Sequence, residues 1–169
     1  MPVVEIGTWL VTDRYLEDQT ILREPFDIVR KADGCLEVYY GLTEEDPKKI
    51  YLLIVWESLE HHTAFTRLPI FHEAIKVVVT TQAKDVNVFH VEFNKDITPS
   101  LLAPTTQVVL ANLKDNVSRE YLYSVFAEIA AQIDQANTKH APVTWGQIKE
   151  DSSRFFLMVG WDSSKVSFI

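Results

Sequence analysis

Ile50-Tyr51-Leu52-Leu53-Ile54-Val55-Trp56-Glu57-Ser58-Leu59-Glu60-His61-His62-Thr63-Ala64-Phe65 is the stretch whose reading decides the fold. It begins as an unbroken run of apolar and β-branched residues, the pattern of a strand covered on both faces. At Trp56 the period changes. Ser58 is a candidate N-cap and Glu60 suits the first turn of a helix. That helix continues to about Val79 and breaks near Pro69. A shorter echo, Phe155-Phe156-Leu157-Met158-Val159-Gly160-Trp161-Asp162-Ser163, stands near the C-terminus. Residues 37–58 lie on 142–163 at a constant offset of 105, with Val38/Val143, Gly41/Gly146, Glu45/Glu150, Asp46/Asp151, Leu52/Leu157, Trp56/Trp161 and Ser58/Ser163 identical. Gapless identities on both arms of one hairpin predict an internal repeat.

Working outward, Val3 to Val11 reads as a first strand carrying Trp9, and Thr12 or Asp13 caps a helix over roughly 14–32. Leu16, Ile21, Phe26, Ile28 and Val29 supply its apolar stripe, and Pro25 is expected to kink it. Asp33-Gly34 is a turn, Cys35 to Leu42 a second strand, and Thr43 to Lys48 a polar hairpin connection into the strand Lys49–Trp56. Asp85 to Phe93 alternates as a fourth strand. The order βαββαβ is the split βαβ arrangement of ferredoxin-like α+β folds. The expected organisation is a complete repeat over 1–95, a linker over 96–104 with Pro99 and Pro104, and a second, C-terminally incomplete repeat over 105–169. Its elements are a strand from Gln107 to Leu113, a helix from Ser118 to about Gln135, and strands over Val143–Lys149 and Arg154–Trp161. Three strands and one helix leave a sheet edge uncovered, so a homodimer is expected.

Among the 169 residues, 47% are hydrophobic and 24% charged, enough apolar side chain for a folded core. Net charge is −8 and no basic stripe offsets it, which excludes nucleic acid as a partner. Cys35 is the sole cysteine, so no internal disulfide forms. Its apolar setting reads as a small buried hydrophobe. The N-terminal residues lack a signal-peptide pattern, and the longest apolar run falls far short of the roughly 20 residues that span a bilayer. A soluble, cytoplasmic protein without a membrane partner is the expectation.

The junction Trp56-Glu57-Ser58-Leu59-Glu60-His61-His62-Thr63-Ala64-Phe65, with Pro69 and Phe71 after it, resembles the antibiotic biosynthesis monooxygenase-like family of the dimeric α+β barrel superfamily, in its fungal tandem-repeat form. The resemblance implies ferredoxin-like units paired sheet to sheet, each with a pocket between sheet and helices. It also implies one of several activities: cofactor-independent oxygenation, haem degradation, polyketide cyclisation, or none. Trp56 matches the Trp of the cofactor-independent oxygenases, whose Asn and Arg have no counterpart here. The Asn, Trp and His of the haem-degrading branch fall on Gly7 or Thr8, Phe65 and Ile75, so no haem and no other cofactor is expected. The Tyr and His of the cyclases fall on Phe65 and Phe71, with His72 one position away.

Four of the five histidines, His61, His62, His72 and His90, lie in the second half of the first repeat. A pocket histidine serves as general base toward a phenol or enol, and His62 and His72 are the candidate catalytic residues. His61 and His62 point about 100° apart on a helix, so at most one of them faces inward. No histidine or carboxylate spacing places metal ligands on one helical face, and no metal site is expected. Trp9, Tyr40, Trp56 and Phe65 are candidate substrate-binding residues, since flat apolar walls suit aromatic or polyketide-like molecules. Ordinary core packing is the competing role for each. Two readings follow: a small-molecule-binding protein without assignable catalysis, or a cofactor-independent monooxygenase or polyketide cyclase of secondary metabolism.

Overall fold

Lys49–Trp56 forms the strand β3, hydrogen-bonded on both sides, in the computed structural model, which describes residues 2–166. Val3–Val11 (β1) and Cys35–Leu42 (β2) flank it antiparallel, and Gln82–Val91 (β4) lies beyond β1, giving the order β2-β3-β1-β4. This is the split βαβ topology expected from the element order. The chain divides into two compact units, Met1–His90 and Val91–Ile169.

In the first unit, the register pairs Val3 with Trp56 and Trp9 with Ile50, so Val3, Glu5, Gly7, Trp9 and Val11 share one face with Ile50, Leu52, Ile54 and Trp56. The core lies on that face, where Phe26, Val29, Phe65 and Val78 pack against Trp9, Leu52, Ile54 and Trp56. Val4, Ile6 and Leu53 on the opposite face are buried too, which accounts for a strand apolar at nearly every position.

The expected single kinked helix between β1 and β2 is three pieces: Asp13–Glu17 (α1), a 3₁₀ turn at Gln19–Leu22, and Arg23–Arg30 (α2). Asp18 causes the break, because its carboxylate accepts from the Thr20 backbone N–H at 2.9 Å and the Thr20 hydroxyl at 2.6 Å. Pro25 sits in the first turn of α2, where its missing N–H costs no intrahelical bond. After β3 come Leu59–Thr66 (α3) and Pro69–Val79 (α4), broken at Pro69 as expected. Ser58 holds the N-cap position of α3, but its hydroxyl turns to His61 Nδ1 at 3.2 Å and makes no cap bond to the backbone. β4 starts three residues before the expected strand and ends two before its end.

The second unit contains a single helical turn at Thr98–Leu101 (α5), then Thr105–Asn112 (β5), Arg119–Ala136 (α6), Thr144–Gln147 (β6) and Arg154–Trp161 (β7). The sheet order β5-β7-β6 repeats β1-β3-β2 of the first unit. The offset of 105 holds residue by residue, since Tyr40 opposes Leu52 as Trp145 opposes Leu157, and Gly41 opposes Tyr51 as Gly146 opposes Phe156. Ser118 caps α6 by accepting from the Tyr121 N–H at 3.2 Å. Phe126, Ala130 and Ile133 of that helix seat on Phe155, Trp145, Val159 and Trp161. The outer side of β6 is joined by the segment after β4, through a bridge between Val91 and Ile148 and two hydrogen bonds between Asn94 and the Trp145 backbone. No described helix is long and apolar enough to cross a membrane.

Candidate functional site

An acidic side chain on the helix-covered face of a strand is costly unless it is paired, and Glu5 stands on that face of β1. Its partners come from three elements. Trp56, diagonal to it across the β1–β3 register, donates from Nε1 to Glu5 Oε2 at 3.1 Å. α3 starts at Leu59 and turns His62 inward, with Nε2 3.3 Å from the same carboxylate oxygen. β4 supplies His90, whose Nε2 lies 2.9 Å from His62 Nδ1. The side chains of Glu5 and His62 are only 16% and 13% exposed. The Nε2 contact to Glu5 is an ion-pair distance, whereas His62 Nδ1 and His90 Nε2 share a hydrogen bond whose donor depends on the tautomers. Burial pushes His62 below the ordinary histidine range, the Glu5 charge opposes that, and His90 adds to it. Glu5 Oε1 carries no hydrogen bond among the described residues.

This polar chain borders a half-open cavity of about 60 Å³ whose other walls are apolar, among them Phe26, Leu52, Ile54, Phe65, Phe71 and Val78. The Trp56 ring lies 5.3 Å from His62 and 5.6 Å from Phe65, and Phe65 meets Phe71 edge-on at 5.6 Å. An enclosed apolar cavity of about 150 Å³ holds one benzene. The space here therefore takes part of one ring and no polycyclic system.

Of the residues singled out from sequence, His62, Trp56 and Phe65 meet at this cavity. Tyr40 packs on Phe26 at a ring distance of 4.6 Å and does not line it. Trp9 is a core residue, 2% exposed, whose indole N–H has no partner among the described residues. His72 is exposed on α4 beside Phe71 and is not brought to the site. His61 rests over Gly34, at φ +73°, where a Cβ would stand 2.2 Å from the imidazole. Cys35 is half-buried and its thiol is pushed up to about 11, chiefly by burial.

Sequence reasoning missed Glu5 and gave His90 no role. The available signal was position: in Val3-Val4-Glu5-Ile6-Gly7-Thr8-Trp9, the one charged residue shares its alternation with Trp9, so it faces the core. The second unit repeats half of the arrangement. Trp161 Nε1 donates to Gln107 Oε1 at 3.0 Å, and Gln107 opposes Val159 as Glu5 opposes Ile54. The repeated part is the tryptophan with its acceptor; the charge and the histidines belong to the first unit.

Residues 19–77 match the family model described as antibiotic biosynthesis monooxygenase. No curated protein matches the chain. A candidate monooxygenase from Fusobacterium nucleatum superposes with a TM-score of 0.65 at 13% identity, over 97% of this chain and 77% of its own. One from Lactobacillus acidophilus gives 0.60 at 10% identity, over 97% and 78%. A candidate antibiotic biosynthesis monooxygenase from Bordetella bronchiseptica gives 0.50 at 25% identity, over 54% of this chain and 95% of its own. The match over 19–77 thus includes the Trp56–Phe65 junction from which the resemblance was read, and the α+β fold recurs over nearly the whole chain.

Proposed function

From a first unit that matches the antibiotic biosynthesis monooxygenase family, we propose that this unit binds a small, largely apolar molecule carrying one hydrogen-bond donor, such as a single-ring phenol or an enol. One observation carries the reading: Glu5, with Oε2 held by Trp56, stands with His62 on the wall of a cavity whose other lining is apolar. The apolar part of the molecule rests on Phe65, Phe71 and Val78, and its O–H donates to Glu5. A site built around a buried acceptor rejects an analogue that lacks the donor, because the acceptor is then left unpaired. Fluorescence titration of Trp56 with a phenol and its methyl ether tests this. The phenol is expected to bind at least about tenfold tighter, and equal affinities overturn the reading.

A second reading, cofactor-independent oxygenation or cyclisation, is favoured by the chain Glu5–His62–His90. In this reading Glu5 takes the proton from the phenol, and the resulting electron-rich anion is the species that reacts with oxygen. Oxygen uptake with phenolic substrates separates binder from oxygenase. Uptake that is unchanged in His62→Ala removes that histidine from the chemistry. A homodimer fits the exposed Val109 and Leu110 on β5, a strand bonded only to β7 in its described sheet. Light scattering that gives a monomer mass at micromolar concentration rejects it.

A further inference from the structure

We propose that Glu5, His62 and His90 together bind one divalent transition-metal ion of the imidazole-preferring class (zinc, cobalt, nickel or ferrous iron), with a coordination position left open toward the cavity. The proposal rests on the same site as the binding reading and names a second occupant for its polar end. Two imidazoles and one carboxylate, from β1, α3 and β4, each offer one ligand atom, and these atoms all lie within 4.8 Å of one another. Two neutral nitrogens and one anionic oxygen are the donors of open zinc sites and of the two-histidine, one-carboxylate iron sites.

The separations suit an ion. Ligands about 2.1 Å from a metal stand about 3.4 Å apart in a tetrahedron and about 3.0 Å apart at right angles. His62 Nδ1 and His90 Nε2 stand 2.9 Å apart; the 3.3 Å contact to Glu5 Oε2 is made by the other His62 nitrogen, Nε2, and is not a separation between ligands of the same ion. All three ligand atoms lie within 4.8 Å of one another, and no two ligands of one ion can stand farther apart than about 4.2 Å, twice the bond length, so the closure required of any pair is at most about 0.6 Å, within the reach of side-chain rotation. Trp56 already supplies an outer hydrogen bond to the carboxylate, donating to Glu5 Oε2. The ligands are partly buried, which distinguishes them from the exposed carboxylates that cluster on any acidic surface.

Proton bookkeeping sets the relation between the two occupants. The hydrogen bond between His62 and His90 holds one proton between two nitrogens, whereas a metal needs a lone pair from each ring. Binding therefore breaks that bond, and the proton moves to the far nitrogen of His90 or leaves to solvent. Three protein ligands leave at least one position unfilled, and the phenol oxygen proposed above, deprotonated, is a suitable fourth ligand.

The test is titration of the chelator-dialysed full chain with cobalt(II), read by its visible d–d absorption, followed by displacement with zinc. Wild type is expected to bind one equivalent. His90→Ala and Glu5→Gln are expected to weaken binding at least about tenfold, and His61→Ala, one residue away on the same helix, to leave it unchanged. Circular dichroism establishes that each variant is folded, and Glu5→Gln keeps the proposal testable if His90→Ala is not. No absorption at stoichiometric cobalt, or equal affinity in wild type and His90→Ala, overturns the proposal. Phenol binding measured in excess chelator reports on the other reading alone, so the two fail separately.

Discussion

Glu5 offers a sharp perturbation because the second unit already contains its neutral counterpart. In Glu5→Gln, the amide oxygen takes the place of Oε2 and accepts from Trp56, as Gln107 accepts from Trp161 at 3.0 Å. What is lost is the charge assistance in that hydrogen bond and the ion-pair contact with His62 at 3.3 Å, a cost of about 1 kcal/mol. In Glu5→Ala, Trp56 Nε1 loses its acceptor and His62 Nε2 loses the carboxylate it faces at 3.3 Å. Each unpaired buried donor costs about 1–3 kcal/mol. The half-open cavity admits water to part of the gap, which places the total near the lower end, about 2–3 kcal/mol. Urea unfolding should therefore separate the two variants by about 1–2 kcal/mol, or roughly 2–8 °C in melting temperature for a chain of this length. Phenol affinity should fall in both, because Oε1 is gone in each. If Glu5→Gln is as destabilising as Glu5→Ala, the carboxylate is holding the fold through its charge, and the neutral comparison with the second unit is wrong.

Three further outcomes follow from named contacts. Gly34→Ala should cost about 1–3 kcal/mol, since φ is +73° and the new Cβ meets the His61 ring, and Gly34→Ala with His61→Ala should cost less than the sum of the two alone, measured by a double-mutant cycle. The repeat-equivalent glycines should differ: Gly41→Ala changes stability by less than about 0.5 kcal/mol because nothing lies within 4 Å, whereas Gly146→Ala costs about 2 kcal/mol or more because its Cβ would stand 2.3 Å from the Glu92 backbone oxygen. Cys35 should alkylate about 100-fold more slowly at pH 8 than a thiol at its ordinary value of 9.0, since two pKa units separate that value from about 11. The same raised value means that the unfolded thiol ionises first, so this contribution to stability is present below pH 9 and is lost as pH rises from about 9 to 11; a rate that levels off near pH 9 contradicts the burial argument.

The parts legible in the sequence are those written in local pattern. A strand apolar at nearly every position, a helix broken at Pro69, and two hairpins identical at seven spaced positions fixed the topology and the repeat before any coordinate. The break between α1 and α2 was misplaced because proline is a louder signal than aspartate, although the Asp18 carboxylate ends the first piece. The site was half legible. His62 could be singled out because helical geometry allows one of two adjacent histidines to face inward. Its partners lie 57 residues before and 28 residues after it, and only the register of β1 on β3 and the placement of β4 beside β1 bring them together. His72 carried the same chemistry in sequence but falls on the outer face of α4.

The attachment of Val91 and Asn94 to the outer side of β6 bears on how the gene could be cut. A fragment started at Thr105 would contain every strand and the long helix of the second unit, yet would expose the Trp145 backbone and strip the outer neighbour from the shortest strand of its sheet. A fragment started at Val91 carries its own selvage, the woven margin that keeps the cloth from fraying. Two clones that differ only in those 14 residues should therefore differ in whether they yield soluble protein.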